Sequence, residues 1–192
     1  MKRLCLGLLL GLALPTWGGA GDSVMVEGRT ADFHATLIEA LKTEEYAARF
    51  RLLEPAVGEL FDLETISRIS LGKTWRTLAA EQQTEFVELL RVLIVATYAD
   101  RFDNFDNQRF EVVETIASRR GWVVKTELVR GNGERVNLDY YYRDDRVFNV
   151  VADGVSDLSL RRADYNSIIK REGYDALIQQ VEANIVEYGG RQ

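Results

Sequence analysis

The stretch that most constrains the fold runs from Arg109 to Asp153, where apolar and polar residues alternate through four segments. Alternation with a period of two is typical of strands that bury one face, and short turns join such strands into antiparallel hairpins. The stretch therefore predicts a curved antiparallel β-meander of about four strands. Three turn signals separate the segments: Arg119-Arg120-Gly121, Gly131-Asn132-Gly133 and Asp144-Asp145.

The alternation assigns the apolar side chains to one face of this sheet and charged or amide side chains to the other. The apolar face holds Phe110, Val112, Ile116, Trp122, Val124, Leu128, Leu138, Tyr140 and Tyr142. The polar face holds Lys125, Glu127, Asn137, Asp139 and Arg143. An apolar face needs a covering layer, which the helical segments on either side of the sheet must supply. We therefore expect an α+β fold, with the sheet in residues 109–158 and helices in 30–105 and 160–188. The pattern alone leaves open whether the helices fill the apolar face or enclose a hydrophobic pocket on it, and the family resemblance described below favours the pocket.

Helical periodicity predicts the covering elements. We expect helices at residues 32–41, 79–102, 163–172 and 174–186, with an extended run at 156–160 between the sheet and the third of these. A helical pattern that begins at Tyr46 should end near Pro55, because proline lacks the N–H that a helix interior needs. Another helix should begin after Asp62, a suitable N-cap, and end at Gly72. The segment 79–102 is apolar on most sides, which indicates a buried helix.

The N-terminus has the pattern of a secretory signal peptide at residues 1–20. Lys2 and Arg3 precede an apolar run from Leu4 to Leu14, and small residues at 18–20 form a cleavage site. We expect a mature, exported domain at 21–192, and the resemblance described below implies that it resides in the periplasm of a Gram-negative bacterium. The only cysteine, Cys5, lies in the apolar run, so this domain has no thiol. The formal charge of −6, without a basic run, argues against a nucleic-acid partner.

The residues that usually carry catalysis are few. His34 is the only histidine and has no neighbouring Asp or Cys in the sequence, so we interpret it as structural or exposed. The acidic segment 100–107 resembles a calcium loop only loosely, because its glycine is missing and Arg101 interrupts it. No phosphate-binding glycine loop or nucleophile elbow is present. We therefore predict no enzyme activity, no metal and no cofactor.

A set of short motifs in a fixed order resembles the MlaC family of periplasmic lipid carriers, also called the toluene-tolerance auxiliary family. The motifs are Phe61-Asp62-Leu63, Leu71-Gly72-Lys73-Thr74-Trp75-Arg76, Glu81-Gln82-Gln83, Glu85-Phe86, Thr97-Tyr98-Ala99, Val150-Val151-Ala152-Asp153-Gly154-Val155-Ser156 and Arg162-Ala163-Asp164-Tyr165. Residues 98–105 and 108–112 look closest to the branch associated with hopanoid biosynthesis. The chain departs from the family at Asp145 and Asn149, where Trp and Asp are frequent.

The resemblance implies a carrier that shuttles a phospholipid or a hopanoid-type lipid between an inner-membrane transporter complex and an outer-membrane complex. The family has no established catalytic residues, so we select pocket residues by periodicity. They are Leu90, Ile94, Tyr98, Phe102, Phe110, Val112, Trp122, Val124, Leu128, Leu138, Tyr140 and Tyr142. We expect the chain to act as a monomer.

Two other classes of function remain open from the residues alone. One is a cone-shaped, isomerase-like enzyme that uses a buried Asp with Tyr140 or Tyr142 as proton donor, although Asp139 falls on the opposite face of the sheet. The other is an envelope adaptor whose core is filled and which binds no lipid.

Overall fold

The computed structural model describes residues 20–190, so the signal peptide predicted at 1–20, with Cys5, lies outside the described residues except for Ala20. Six α-helices and five strands are present in the described part of the chain. The helices are α1 (Ala20–Leu41), α2 (Tyr46–Leu60), α3 (Leu63–Leu71), α4 (Ala80–Arg101), α5 (Asp157–Glu172) and α6 (Tyr174–Gly190). The strands are β1 (Arg109–Ser118), β2 (Gly121–Val129), β3 (Arg135–Arg143), β4 (Arg146–Ala152) and β5 (Val155–Ser156). A 3₁₀ helix spans Thr74–Thr77.

The sheet is the predicted antiparallel meander, with strand order β1-β2-β3-β4-β5. The three predicted turn segments join its four long strands, and β5 adds only two residues at the edge. Gly121 is required at the first turn, since its φ is +140° and an added Cβ would lie 2.2 Å from the Tyr142 carbonyl oxygen. Asp144 has φ of 54° in the third turn. This left-handed conformation is common in short turns, where Asp, Asn and Gly tolerate it best.

A β-bulge in β1 corrects the placement of Ile116. Phe110 pairs with Leu128 and Val112 with Thr126, but the register shifts between Val112 and Glu114. An extra residue reverses the facing of all that follow it, because side chains alternate along a strand. Ile116 consequently pairs with Val123 and lies on the face opposite Phe110. Strict alternation counted from Phe110 could not detect this shift.

Helix α4 lies at the centre of the helical layer and is buried on several sides, as its composition predicts. Its buried residues are Phe86, Leu90, Leu93, Ile94, Val95, Ala96 and Ala99. Helix α2 packs against it but does not end at Pro55, which lies inside the helix. Arg51 and Pro55 are both exposed, so the carbonyl left without an N–H partner is on the solvent side. The predicted helix break was therefore wrong.

The structure confirms the predicted ends of α3 and corrects the predicted start of α5. Asp62 accepts a hydrogen bond from the Thr65 N–H at 3.0 Å, and Gly72 ends α3 with φ of 58°, as predicted. The extended run expected at 156–160 is wrong, because α5 already begins at Asp157. Ser156 caps this helix by accepting from the Ser159 N–H at 3.1 Å.

A buried arginine ties the loop between α1 and α2 to the end of α4. Arg49 is 5 % exposed, and its Nε donates to the Ala99 carbonyl at 2.7 Å. Its Nη1 donates to the carbonyls of Thr43, at 3.0 Å, and Glu44. The carbonyls satisfy the guanidinium donors, and Ala99 lies in the last turn of α4, where the helix dipole favours a cation.

Candidate functional site: an apolar cavity under one half of the sheet

A cavity of about 160 Å³ lies between the sheet and the helices. The C-terminal half of α4 contributes Ile94, Thr97, Tyr98, Arg101 and Phe102, and Phe61 and Ile66 lie beside them. The sheet contributes Leu138, Tyr140, Phe148, Asn149, Val150 and Ala152, and α5 contributes Asp157, Leu158 and Arg161. The wall is thus mostly apolar and aromatic, with its charged groups confined to α4 and α5.

The structure places the twelve residues selected by periodicity in two groups. Ile94, Tyr98, Phe102, Leu138 and Tyr140 line the cavity. The other seven lie away from it: Leu90, Val124 and Tyr142 are buried in the core, Phe110, Trp122 and Leu128 are half-buried, and Val112 is 47 % exposed. The cavity therefore lies under β3 and β4 only.

Helix α1 covers the other half of the sheet. It begins at Ala20 rather than near residue 32, and it packs against β1 and β2. The imidazole of His34 stacks on the Phe110 ring with centroids 3.9 Å apart. Thr30 is fully buried beneath Tyr142, with 2.7 Å between the two hydroxyl oxygens. Side chains of α1 thus fill the space that periodicity alone would leave open.

Two pairs of buried polar side chains connect α1 to β3. His34 Nε2 lies 3.1 Å from the Tyr140 hydroxyl, and burial lowers the pKa of His34 to about 4. Burial raises the pKa of Tyr142 to about 12, although the hydrogen bond from Thr30 lowers it. Burial also raises the pKa of Tyr140 well above its ordinary value. At neutral pH His34 is therefore uncharged. Of the two possibilities expected from the sequence, structural or exposed, the structure supports the structural one.

The charged part of the cavity wall was missed by the sequence reasoning. Arg161 Nη2 donates to Asp157 Oδ2 at 3.0 Å, and its Nη1 donates to the Tyr165 hydroxyl at 3.2 Å. Burial by itself lowers the pKa of Arg161, but Tyr165 and Asp157 raise it, so the guanidinium stays charged. Asp157 and Arg161 are four residues apart, a spacing that places them on one helix face. The pair was not recognised because residues 156–160 were predicted to be extended, and a spacing of four residues brings side chains together only in a helix.

Asn149, one of the two departures from the family pattern, fixes the start of α5. Its Oδ1 accepts from the Ser156 hydroxyl at 3.0 Å and from the Leu158 N–H at 3.2 Å. The side chain thereby ties β4 to the first turn of α5. Because Leu158 and Arg161 line the cavity, this contact also positions part of its wall.

The geometry gives no support to an isomerase-like arrangement. Asp139 pairs with Lys125 and Val151, on the face of the sheet opposite Tyr140. The hydroxyls of Tyr140 and Tyr142 bond to His34 and Thr30 rather than to a carboxylate. The cavity lining contains one carboxylate, Asp157, which is paired with Arg161. The hypothesised pair of a buried Asp with Tyr140 or Tyr142 is therefore not formed in the described residues.

A larger groove of about 900 Å³ lies outside the sheet, between α4 and α6. Its lining includes Glu85, Glu88, Asp175 and Glu182, so it is unsuited to an anionic amphiphile. Within residues 20–190, no three acidic, histidine or cysteine side chains come together as metal ligands. None of the described helices has the length and apolar character needed to cross a bilayer.

Comparison with known proteins now identifies the fold and the lineage. A family model described as MlaC protein matches residues 31–183, which include the cavity and the whole sheet. The chain belongs to the MlaC family. Its mixed helix-and-sheet architecture, predicted from the meander and its covering helices, is the MlaC fold.

Two relatives show how far the likeness extends. The intermembrane phospholipid transport system binding protein MlaC of Haemophilus influenzae is 24 % identical over 130 residues, which cover 63 % of this chain and 61 % of that protein. The match therefore spans about three fifths of that relative's length. A phospholipid-binding protein from Ralstonia solanacearum, solved in complex with a phospholipid, superposes with a TM-score of 0.73 at 22 % identity. That match covers 87 % of this chain and 98 % of the other, and it establishes the fold.

Proposed function

We propose that this MlaC-family chain is a periplasmic carrier that holds the acyl part of a phospholipid in the cavity beneath β3 and β4. The supporting observation is a mostly apolar cavity bounded by the sheet, α4 and α5. Burying a methylene stabilises a complex by about 0.8 kcal/mol, so about ten methylenes contribute roughly 8 kcal/mol. An acyl chain that crosses an aqueous compartment needs such shelter.

In this proposal residues 1–20 direct export, and residues 21–192 form one carrier domain that acts as a monomer. The carrier exchanges lipid with an inner-membrane transporter complex and an outer-membrane complex. Support comes from the Haemophilus influenzae relative, which is named as a component of an intermembrane phospholipid transport system. Without Lys2 and Arg3, residues 21–192 have 22 basic and 30 acidic residues, a formal charge of −8. This charge disfavours lasting adsorption to anionic membrane, which leaves docking on membrane proteins as the route of exchange.

Lipid extraction from protein purified without detergent tests the proposal. We expect phospholipid to co-purify with the wild-type protein and to be lost from Ala152→Trp, which places an indole at the cavity wall. The matched control is Val151→Trp, because the neighbouring side chain points to the opposite face of the strand. Circular dichroism should show that both variants are folded.

Each outcome separates the open alternatives. A wild-type protein without any lipid would favour the envelope adaptor, whose core binds nothing. A wild-type lipid load on Ala152→Trp would show that lipid binds elsewhere on the protein. Loss of lipid from Val151→Trp as well would show that the effect is not specific to the cavity face.

A hopanoid-type lipid is the second candidate ligand. Tyr98, Arg101 and Phe102 come from the segment that resembles the hopanoid-associated branch, and all three line the cavity. Aromatic rings suit the flat apolar surface of a polycyclic lipid. Mass spectrometry of the same extracts distinguishes the candidates, since a polycyclic lipid and a phospholipid differ in mass and in the presence of phosphorus.

A further inference from the structure

A buried donor without a partner distinguishes the wall of the cavity from an ordinary apolar core. The Arg161 side chain is 12 % exposed, and its Nε is buried with no hydrogen-bond acceptor among residues 20–190. Its other two nitrogens donate to Asp157 and Tyr165. Buried donors in folded proteins are nearly always paired, so an unpaired N–H on a charged group requires an explanation.

The charges around the cavity point to an anionic partner for this donor. Arg101 and Arg161 line the cavity together with one carboxylate, that of Asp157, so the lining carries one more positive than negative charge. Asp157 is 59 % exposed, whereas Arg161 is largely buried. The carboxylate is therefore more strongly screened by water than the guanidinium, and positive potential remains on the cavity side.

The position of Arg161 combines this charge with an apolar surface. Leu158 lies three residues earlier on the same helix face, and Leu138 and Val150 of the sheet line the same cavity. The start of α5, which carries Arg161, is held to β4 by Asn149 and capped by Ser156. A guanidinium in the wall of a mostly apolar cavity matches a ligand with an anionic group on an apolar chain.

We infer that Arg161 is a specificity-determining residue whose Nε–H binds the anionic oxygen of an amphiphile, with the apolar chain of that ligand in the cavity. The inference rests on the proposed function and adds the class of ligand. Two lipid groups supply this chemistry, the phosphodiester of a phospholipid and the carboxylate of a free fatty acid. A neutral polycyclic lipid would leave the donor unpaired, so the wall favours an anionic ligand.

Binding of a fluorescent fatty acid and of its neutral methyl ester tests the inference. The protein is purified without detergent and stripped of co-purified lipid on a hydrophobic resin before titration. We expect wild-type protein to bind the carboxylate probe at least tenfold more tightly than the ester. Arg161→Met should remove this preference, measured as the ratio of the two dissociation constants in the same variant, whereas Arg161→Lys should keep part of it. The matched control is Arg162→Met, since Arg162 is exposed and should not affect either probe.

Competition identifies the source of the anionic group. Displacement of the probe by palmitate but not by phosphatidylglycerol would assign a carboxylate, and the opposite result would assign the phosphodiester. Either pattern of displacement supports the role of Arg161 only if that pattern disappears in the Arg161→Met variant.

The failures are distinguishable. Equal binding of acid and ester by the wild-type protein would overturn the inference while leaving the carrier function intact, and this comparison does not depend on any variant being folded. An unchanged preference in Arg161→Met would also overturn it. If the wild-type protein binds neither probe nor competitor, the proposed function fails and the inference fails with it.

Discussion

The buried His34 should make the stability of this protein depend on pH in a way that one substitution can isolate. His34 is 6 % exposed, stacks on Phe110 and bonds to the Tyr140 hydroxyl. Protonation would bury a positive charge, and no carboxylate is among these neighbours. In His34→Gln the amide can still bond to the Tyr140 hydroxyl, but nothing at position 34 titrates. Comparing the two proteins therefore separates this group from the many carboxylates.

The sign and the size of the effect follow from the pKa of His34. Burial lowers it from 6.5 in the unfolded chain to about 4 in the folded protein. Between these values the unfolded state binds a proton that the folded state does not, so acidification favours unfolding. The stabilisation is fully present above pH 6.5 and is lost as the pH falls towards 4. A difference of 6.5 − 4 in pKa, at 1.36 kcal/mol per pKa unit, corresponds to about 3 kcal/mol.

Urea unfolding at several pH values between 7.5 and 4 measures this difference. The free energy of unfolding of wild-type protein should fall by about 3 kcal/mol more than that of His34→Gln over this range. Most of the divergence should appear between pH 6.5 and 4, where the histidine of the unfolded state titrates. Parallel curves for the two proteins would refute the argument, because they would mean that His34 is protonated equally in both states. A wild-type protein that gained stability on acidification relative to the variant would refute its sign.

Three further predictions concern the cavity and the core. Leu138→Glu should abolish co-purification of lipid in a folded protein, and a wild-type lipid load would show that Leu138 does not contact the ligand. Asp62→Ala removes the cap on the Thr65 N–H and should lower the free energy of unfolding by about 1 kcal/mol, so an unchanged urea midpoint would contradict this cap's role. Thr30→Val leaves the buried Tyr142 hydroxyl without its partner and should destabilise by about 1–3 kcal/mol. Adding Tyr142→Phe should recover part of that loss, and a double variant less stable than Thr30→Val would contradict the pairing.

The sheet could be predicted from the sequence because its signals are local and redundant. Alternation and turn residues independently indicate the same four strands, and both α3 boundaries have specific capping residues in Asp62 and Gly72. Where a prediction rested on a single local signal, tertiary packing or strand pairing overrode it. Proline predicts a helix break, yet Pro55 is accommodated on the exposed side of α2. The bulge after Val112 follows from strand pairing with β2, which periodicity within one strand cannot show.

The location of the cavity could not be predicted, because it depends on which helix covers which half of the sheet. Apart from Ile116, periodicity assigned the apolar residues of the sheet to one face, but it gave no reason to distinguish Trp122 or Val124 from Leu138 or Tyr140. Helix α1 makes the distinction by packing under β1 and β2 and filling that half. Arg161 was missed because a charged residue next to a predicted sheet is expected to be exposed. Its burial results from the packing of α5 on β4, a tertiary contact.

The size of the cavity bears on how a carrier in this family can release what it binds. Pockets that enclose drug-sized ligands usually measure about 300–1,000 Å³, whereas this cavity measures about 160 Å³. An acyl chain of ten methylenes can therefore enter only if lining side chains move outward, and the half-buried Phe102 and Phe148 are at the wall. Opening the wall opposes the roughly 8 kcal/mol that such a chain gains by leaving water. The net affinity is smaller than the burial alone would give, and a smaller net affinity makes transfer to an acceptor easier. In the proposed carrier the wall under β3 and β4 is the part that must move, because the space under the rest of the sheet holds the Thr30–Tyr142 and His34–Tyr140 pairs.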